Sequence, residues 1–187
     1  MRTMTVALSV LWLAGCVAST PPHRSTPKPV ADGRVAAPSE EQLPCDAHFR
    51  TTGDLMADLT SLTRMCSLPY REQELSPTRD SRQGEGDAVD RYAFTAEAGH
   101  CYRVYAVGDG DVTDIDIQII GPDGRPIVAD TTHLGHAVVP SLAPLCVRRD
   151  GSYVVEAAVA RGSGRYVVQV WKRSSDVQAL PSSLHAP

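Results

Sequence analysis

Aromatic side chains are scarce in this chain: 187 residues include two Phe, two Trp and six Tyr. Hydrophobic content is nevertheless 42%, which suits a globular protein. An excess of basic charge is also missing. Lys plus Arg number 18 against 22 Asp plus Glu, a net charge of −4, and the acidity is scattered. That excludes a nucleic-acid partner, which would need a basic face. No Cys-x-x-Cys pair occurs, and the cysteine spacings are too long for the usual zinc pattern. No EF-hand loop is present. Gly162-Ser163-Gly164 is not a nucleophile elbow, because it lacks the Gly-x-Ser-x-Gly frame and reads as a turn joining two strands. No pair of carboxylates is placed for glycoside hydrolysis. These absences argue against an enzyme and call for no cofactor; a small hydrolase is the alternative from that class.

The N-terminus carries the most specific signal. A thin positive start at Arg2 precedes an apolar stretch from Val6 to Leu13, and small residues lead to Cys16. The run is a signal peptide by its architecture and too short to span a bilayer. Leu13-Ala14-Gly15-Cys16 resembles the lipobox of bacterial lipoproteins. The resemblance implies that residues 1–15 are removed and that Cys16 becomes the acylated first residue. Several acyl chains on one residue give stable anchoring where a single chain would not. The expected location is the bacterial cell envelope. Val17 stands where some lipoproteins carry the Asp of inner-membrane retention, which points to the outer membrane.

With Cys16 assigned to lipid, Cys45, Cys66, Cys101 and Cys146 remain. An even number in an exported chain reads as two disulfides. Three pairings are open. Cys45–Cys66 and Cys101–Cys146 are preferred, because the first pair flanks one helical unit and the second lies inside a β region.

Residues 17–42 are rich in Ser, Thr, Pro and Ala without apolar periodicity, and read as a linker. Order is expected from Leu43. Thr51 and Asp54 fit a capping box for a helix over 54–66. Leu55, Leu59, Leu62 and Cys66 make one apolar stripe, and Pro69 ends it. Residues 71–88 are polar and read as a loop, so 43–89 is a disulfide-tied helix and loop. From Asp90 the period changes to two. Roughly eight short strands separated by turn signals predict a mainly β protein, an antiparallel sandwich over 90–173, followed by a loose tail over 174–187.

The facing of two strands supports the second bridge. Tyr102, Val104 and Ala106 are assigned to the core, because Arg103 cannot be buried unpaired. Cys101 then shares the opposite face with Arg103 and Tyr105, and Cys146 likewise lies opposite Leu145 and Val147. That second face also holds Val107, Val167 and Trp171, too apolar to be left wet. The helix stripe is expected to cover part of it.

Ala98-Gly99, Asp114-Ile115-Asp116, Pro122-Asp123-Gly124, Gly151-Ser152-Tyr153 and Gly164-Arg165-Tyr166 occur in an order that resembles the bacterial pre-peptidase C-terminal domain. The resemblance runs from Asp90 to Trp171. It implies a jelly-roll-like β-sandwich without catalytic activity, with roles in binding, folding or secretion. This chain has no peptidase domain beside it, and it adds a helix and two cysteine pairs. The expectation is a free-standing, lipid-anchored envelope protein with a binding or structural role, its partner an envelope protein or polysaccharide. An accessory, chaperone or inhibitor of a secreted peptidase is the alternative.

Asp109, Asp111, Asp114 and Asp116, with Asp123 and Asp130 nearby, offer hard oxygens that suit calcium; against this, aspartates at such positions commonly serve turns. His100, His133 and His136 are a rival metal set, read as solvent-exposed. Tyr105 and Trp171 could stack a sugar if the helix left them open, but are expected to pack beneath it.

Overall fold

Alternation of apolar and polar residues sends every second side chain of a strand to the same face. Here that rule builds two sheets around a shared core. A computed structural model describes residues 43–173. Among these residues one helix, α1 (Leu55–Ser67), is followed by a 3-10 turn at Leu68–Tyr70 and nine strands. These are β1 (Glu72–Glu74), β2 (Arg79–Gly84), β3 (Asp90–Ala96), β4 (Cys101–Gly108), β5 (Val112–Ile120), β6 (Pro126–Ala129), β7 (His136–Val139), β8 (Leu145–Cys146) and β9 (Gly151–Arg173). The fold is mainly antiparallel β and sandwich-like, with one short helix, as the alternation implies.

β9 belongs to both layers. Its first half lies between β3 and β5, with β6 beyond β5. Its second half lies between β4 on one side and β1 and β2 on the other, with β7 and β8 beyond β4. The expected turn at Gly162-Ser163-Gly164 is therefore a bend within one continuous strand. Gly162 has φ +93°, and a Cβ there would sit 2.1 Å from the Asp111 carbonyl oxygen. Only glycine fits that backbone and that approach. The adjoining register shift in β5, near Asp114, accompanies the change of layer.

The expected loop over 71–88 is also corrected. β1 and β2 pair with the second half of β9 and form the edge of its layer. Their sequence is polar because most of their side chains are exposed or half-buried. Composition therefore concealed an edge strand, whose stabilisation comes from the ladder more than from burial.

The inter-sheet core joins Tyr102, Val104 and Ala106 of β4 to Ile115, Ile117 and Ile119 of β5 and to Val155, Ala157, Tyr166, Val168 and Val170 of β9. These are the core phases that alternation assigns. A second cluster lies on the other face of β4 and β9. Leu59 and Leu62 of α1, with Phe49 and Cys66, pack on Tyr105, Val107, Val138 and Val167, and Leu55 and Trp171 flank them. The helix covers the face that the core leaves unused. Its start differs from the expected capping box: Asp54 is the N-cap, accepting from the amides of Met56 and Ala57. Asp58 reaches back to accept from the Thr52 and Gly53 amides and the Thr52 hydroxyl.

Cys45–Cys66 and Cys101–Cys146 are both paired, with S–S distances of 2.09 and 2.02 Å. Cys101 and Cys146 stand directly opposite each other on β4 and β8.

Candidate functional site

Among the described residues, no helix covers the outer face of the β3–β9–β5–β6 layer. Polar residues in the outward phase of three strands meet there in one row. Glu156 of β9 stands opposite Arg91 of β3 on one side and Gln118 of β5 on the other. Its carboxylate accepts from both the Arg91 guanidinium and the Gln118 amide. Glu156 is buried although it lies on an outer face. The row forms part of a groove of about 280 Å³, lined by Val89, Asp116, Gln118, Asp130, Glu156 and Ala158 among others.

Two carboxyls in this groove hold their protons more tightly than usual. Burial raises Asp116, and the Asp114 charge adds to it, while His133 opposes it. Burial also raises Asp130, against hydrogen bonds from Thr132 and Thr131, with the Asp116 charge pushing it further up. Asp130 accepts from the Thr131 and Thr132 amides at 2.8 and 3.2 Å and from the Thr132 hydroxyl at 2.9 Å. The groove thus presents carboxyls and an amide at the end of a wall of small apolar side chains. Such a surface accepts hydrogen bonds from hydroxyl or amino groups. Among the described residues that line it, none is a serine or cysteine beside a base.

The candidate calcium set does not converge. The Asp109 carboxylate accepts from the amides of Asp111 and Arg165 at 3.3 and 2.7 Å, and so ties the β4–β5 turn to the bend in β9. Asp111 contributes its carbonyl to the Ser163 amide. Asp114 is buried and faces His133, whose Nδ1 is 3.1 Å from its Oδ2. Asp116 faces the groove. Asp109 thus serves a turn, as aspartates at such positions commonly do. The histidines are likewise dispersed: His133 is exposed beside Asp114, His100 lies beside Glu97, and His136 is buried. Among the described residues, no group of three or more His, Cys, Asp or Glu is gathered to hold a metal ion.

His136 was read as solvent-exposed, and that is corrected. Its Nε2 lies 3.6 Å from Asp46, both side chains are buried, and the ring meets Phe49 edge-on at 4.8 Å. The segment preceding α1 covers it. Tyr105 and Trp171 form no open platform. Tyr105 is fully buried and meets Trp171 edge-on at 5.8 Å beneath the helix.

Arg103 lies on the predicted face but is completely buried there. Its guanidinium donates to the Cys66 carbonyl at 3.0 Å and lies 4.8 Å from the centre of the Tyr70 ring. Glu72 supplies the counter-charge and accepts from the Tyr105 hydroxyl at 2.6 Å. Neither Tyr70 nor Glu72 was legible as a partner, because the segment holding Glu72 reads as loop. Glu156 and Gln118 were legible only as polar residues in the outward phase; register alone sets them opposite each other. Cys16, the candidate lipidation site, lies outside the described residues.

No protein-family model matches this chain, and no curated protein is significantly similar to it.

Proposed function

We propose that this protein is a non-catalytic, lipid-anchored protein of the bacterial cell envelope with a binding role. The observation that carries the proposal is Leu13-Ala14-Gly15-Cys16 at the end of a short apolar run. The two disulfides support it, since paired cysteines persist in oxidising compartments outside the cytosol. The order of the turn motifs supports kinship with the pre-peptidase C-terminal domain, and Val17 supports the outer membrane. For the binding role, the open groove around Glu156, Gln118, Asp116 and Asp130 is the best-placed surface. Its acceptors suit the hydroxyl groups of an envelope polysaccharide.

Metabolic labelling with a radioactive fatty acid tests the anchor. Wild-type protein is expected to be labelled and to run at its processed size. Cys16→Ser should accumulate as an unlabelled precursor, and a labelled, processed Cys16→Ser product would reject the proposal.

A further inference from the structure

β3 is the outermost described strand on its side of the β3–β9–β5–β6 layer. The direction of its backbone groups follows from its neighbours. The Ile117 carbonyl accepts from the Asp130 amide and the Ile115 amide donates to the Leu134 carbonyl, both on the side of β5 away from β9. Ladder bonds alternate along a strand, so Asp116, Gln118 and Ile120 bond to Ala158, Glu156 and Val154. The odd-numbered residues of this half of β9 therefore turn toward β3. The Val159 amide, just past the end of β3, agrees. It donates to the Gln83 side chain at 3.1 Å, and that side chain is bound in turn to the Ala88 carbonyl. Asp90, Tyr92, Phe94 and Ala96 thus hold β3 to β9. Arg91, Ala93 and Thr95 point their N–H and C=O groups away from the sheet. Among the described residues, nothing is hydrogen-bonded to those groups.

An unpaired edge is usually blunted by charge, proline, a bulge or shortness. Other outlying strands here are blunted. β6 opens on Pro126, and its register slips at Ile119/Ile120. β7 has four residues and is followed by Pro140. β1 has three residues, and β2 carries exposed Arg79, Asp80 and Arg82. β3 has seven residues in unbroken register and no proline. Both of its charges are engaged within the molecule. Asp90 accepts from Ser81, Tyr92 and Tyr166, and Arg91 is held by Glu156.

The strand's own sequence selects the occupant. With β3 of a second copy laid antiparallel on this edge and Ala93 facing Ala93, Arg91 faces Thr95 in both directions. These facing pairs exchange their free N–H and C=O groups. On the core side Tyr92 faces Phe94, an aromatic pair of the kind that stabilises adjacent strands. Sliding the copies until Arg91 faces Arg91 sets like charges opposite each other. Sliding them until Thr95 faces Thr95 carries Arg91 beyond the strand. The flanking acids meet no acid in the Ala93 register. Glu97, held by Lys172 at 2.7 Å, faces Val89, and Asp87, accepting from the Gly84 amide at 2.7 Å, faces Gly99. We infer that the free edge of β3 pairs with β3 of a second copy about a two-fold axis at Ala93. The contact is isologous, and the axis stands perpendicular to the sheet. The outer faces of both layers therefore join into one surface, with the two Glu156 grooves open on the same side. The inference does not rest on the lipid anchor, although a shared tether to one membrane would strengthen the pairing.

The test uses the full chain in mild detergent. Ala93→Cys should form a disulfide-linked dimer on mild oxidation, which wild type does not. Arg91→Cys and Thr95→Cys should cross-link when mixed and much less when either is alone. In sedimentation velocity, wild type should show a concentration-dependent dimer. Thr95→Arg should raise its dissociation constant about tenfold, because the two-fold applies the repulsion twice. Ala93→Pro removes an N–H that points out of the ladder, so it should melt close to wild type yet sediment as a monomer. Tyr92→Pro removes a ladder donor and should melt earlier. A wild type that stays monomeric at all concentrations overturns the inference, and so does a dimer that survives Thr95→Arg and Ala93→Pro. Cross-linking of Arg91→Cys alone, as strong as in the mixture, overturns the register. In a monomer, slow amide exchange at Arg91, Ala93 and Thr95 would assign the edge to another segment of the same chain. Fast exchange would leave it bare, and either result would reject the second copy.

Discussion

Nη1 of Arg103 lies 3.5 Å from Oε1 of Glu72, and neither side chain has any exposure to solvent. The pair links β4 to β1 and, through the Cys66 carbonyl, to the end of α1. Burial raises the Glu72 carboxyl above its ordinary range, against the Tyr105 hydrogen bond and the charges of Arg103 and Arg173. Taking the arginine away leaves the carboxylate in a dry site with the Tyr105 hydrogen bond and only the weaker attraction of Arg173.

Arg103→Met should therefore destabilise the protein by about 3–5 kcal/mol at neutral pH, as breaking a buried pair does. Adding Glu72→Gln should recover much of that loss, because both charges are then gone. Urea unfolding of the two single variants and the double variant measures this as a cycle. The Arg103→Met deficit should also narrow in acid, where Glu72 takes up a proton. Equal deficits for Arg103→Met and the double variant would mean that the pair contributes nothing beyond packing.

Leu59→Ala should cost about 2–4 kcal/mol, the range for truncating a buried leucine. Leu59 is buried in the cluster between α1 and the sheet, whereas Met56 is exposed on the same helix. Met56→Ala should stay within about 0.5 kcal/mol of wild type. Thermal melts of the two variants, with acrylamide quenching of Trp171, distinguish a packed helix from a mobile arm. A mobile arm would leave both melts unmoved and Trp171 readily quenched.

The two disulfides close loops of different length, with sequence separations of 21 and 45. Loop-closure entropy alone makes the Cys101–Cys146 bridge worth about 0.7 kcal/mol more than Cys45–Cys66. Replacing each pair with serine and comparing unfolding midpoints measures the difference. The reverse order would show that the hydrogen bond from Arg103 to the Cys66 carbonyl makes the shorter bridge matter more than its loop.

Asp116 is raised in the folded state, mainly by burial and then by the Asp114 charge. A carboxyl raised by folding opposes folding once it ionises. Stability is therefore lost as pH rises from the unfolded value, about 3.9, through the folded one. Asp116→Asn should raise the melting temperature at neutral pH, and the gain should vanish below about pH 3, where both carboxyls are protonated. Asp90 runs the other way. Burial raises it, but hydrogen bonds from Ser81, Tyr166, Tyr92 and Gln83 outweigh that and hold it low. Asp90→Asn should lower the melting temperature at neutral pH, with the difference fading as acid protonates the wild-type carboxyl. Melts across this pH range test both signs.

Alternation made the core legible. The inward phases of β4, β5 and β9 follow from keeping Arg103, Asp116 and Glu156 out of it, and the disulfide on the opposite face follows from the same phase. The helix was legible because Leu55, Leu59 and Leu62 need an apolar partner and only one face was left. What stayed hidden was set by distant pairing. β1 and β2 carry almost no apolar signal, because their place depends on β9, roughly 80 to 100 positions further along by register. Glycines that looked like a turn mark a bend, where Gly162 takes a positive φ that a glycine turn could equally have used. The groove was hidden for a related reason: Arg91, Glu156 and Gln118 come from three strands, and only register makes them neighbours.

β9 is the partner of β1, β2, β3, β4 and β5, and it is the last strand of the described residues. A growing polypeptide that has not reached Gly151 can pair β4 with β7 and β5 with β6, but every strand preceding β4 still waits for its neighbour. Assembly is therefore a late, long-range event, with no stable half-domain along the way. In the export that the proposed lipid anchor would require, such an architecture keeps the leading portion extended until the trailing portion has followed it across.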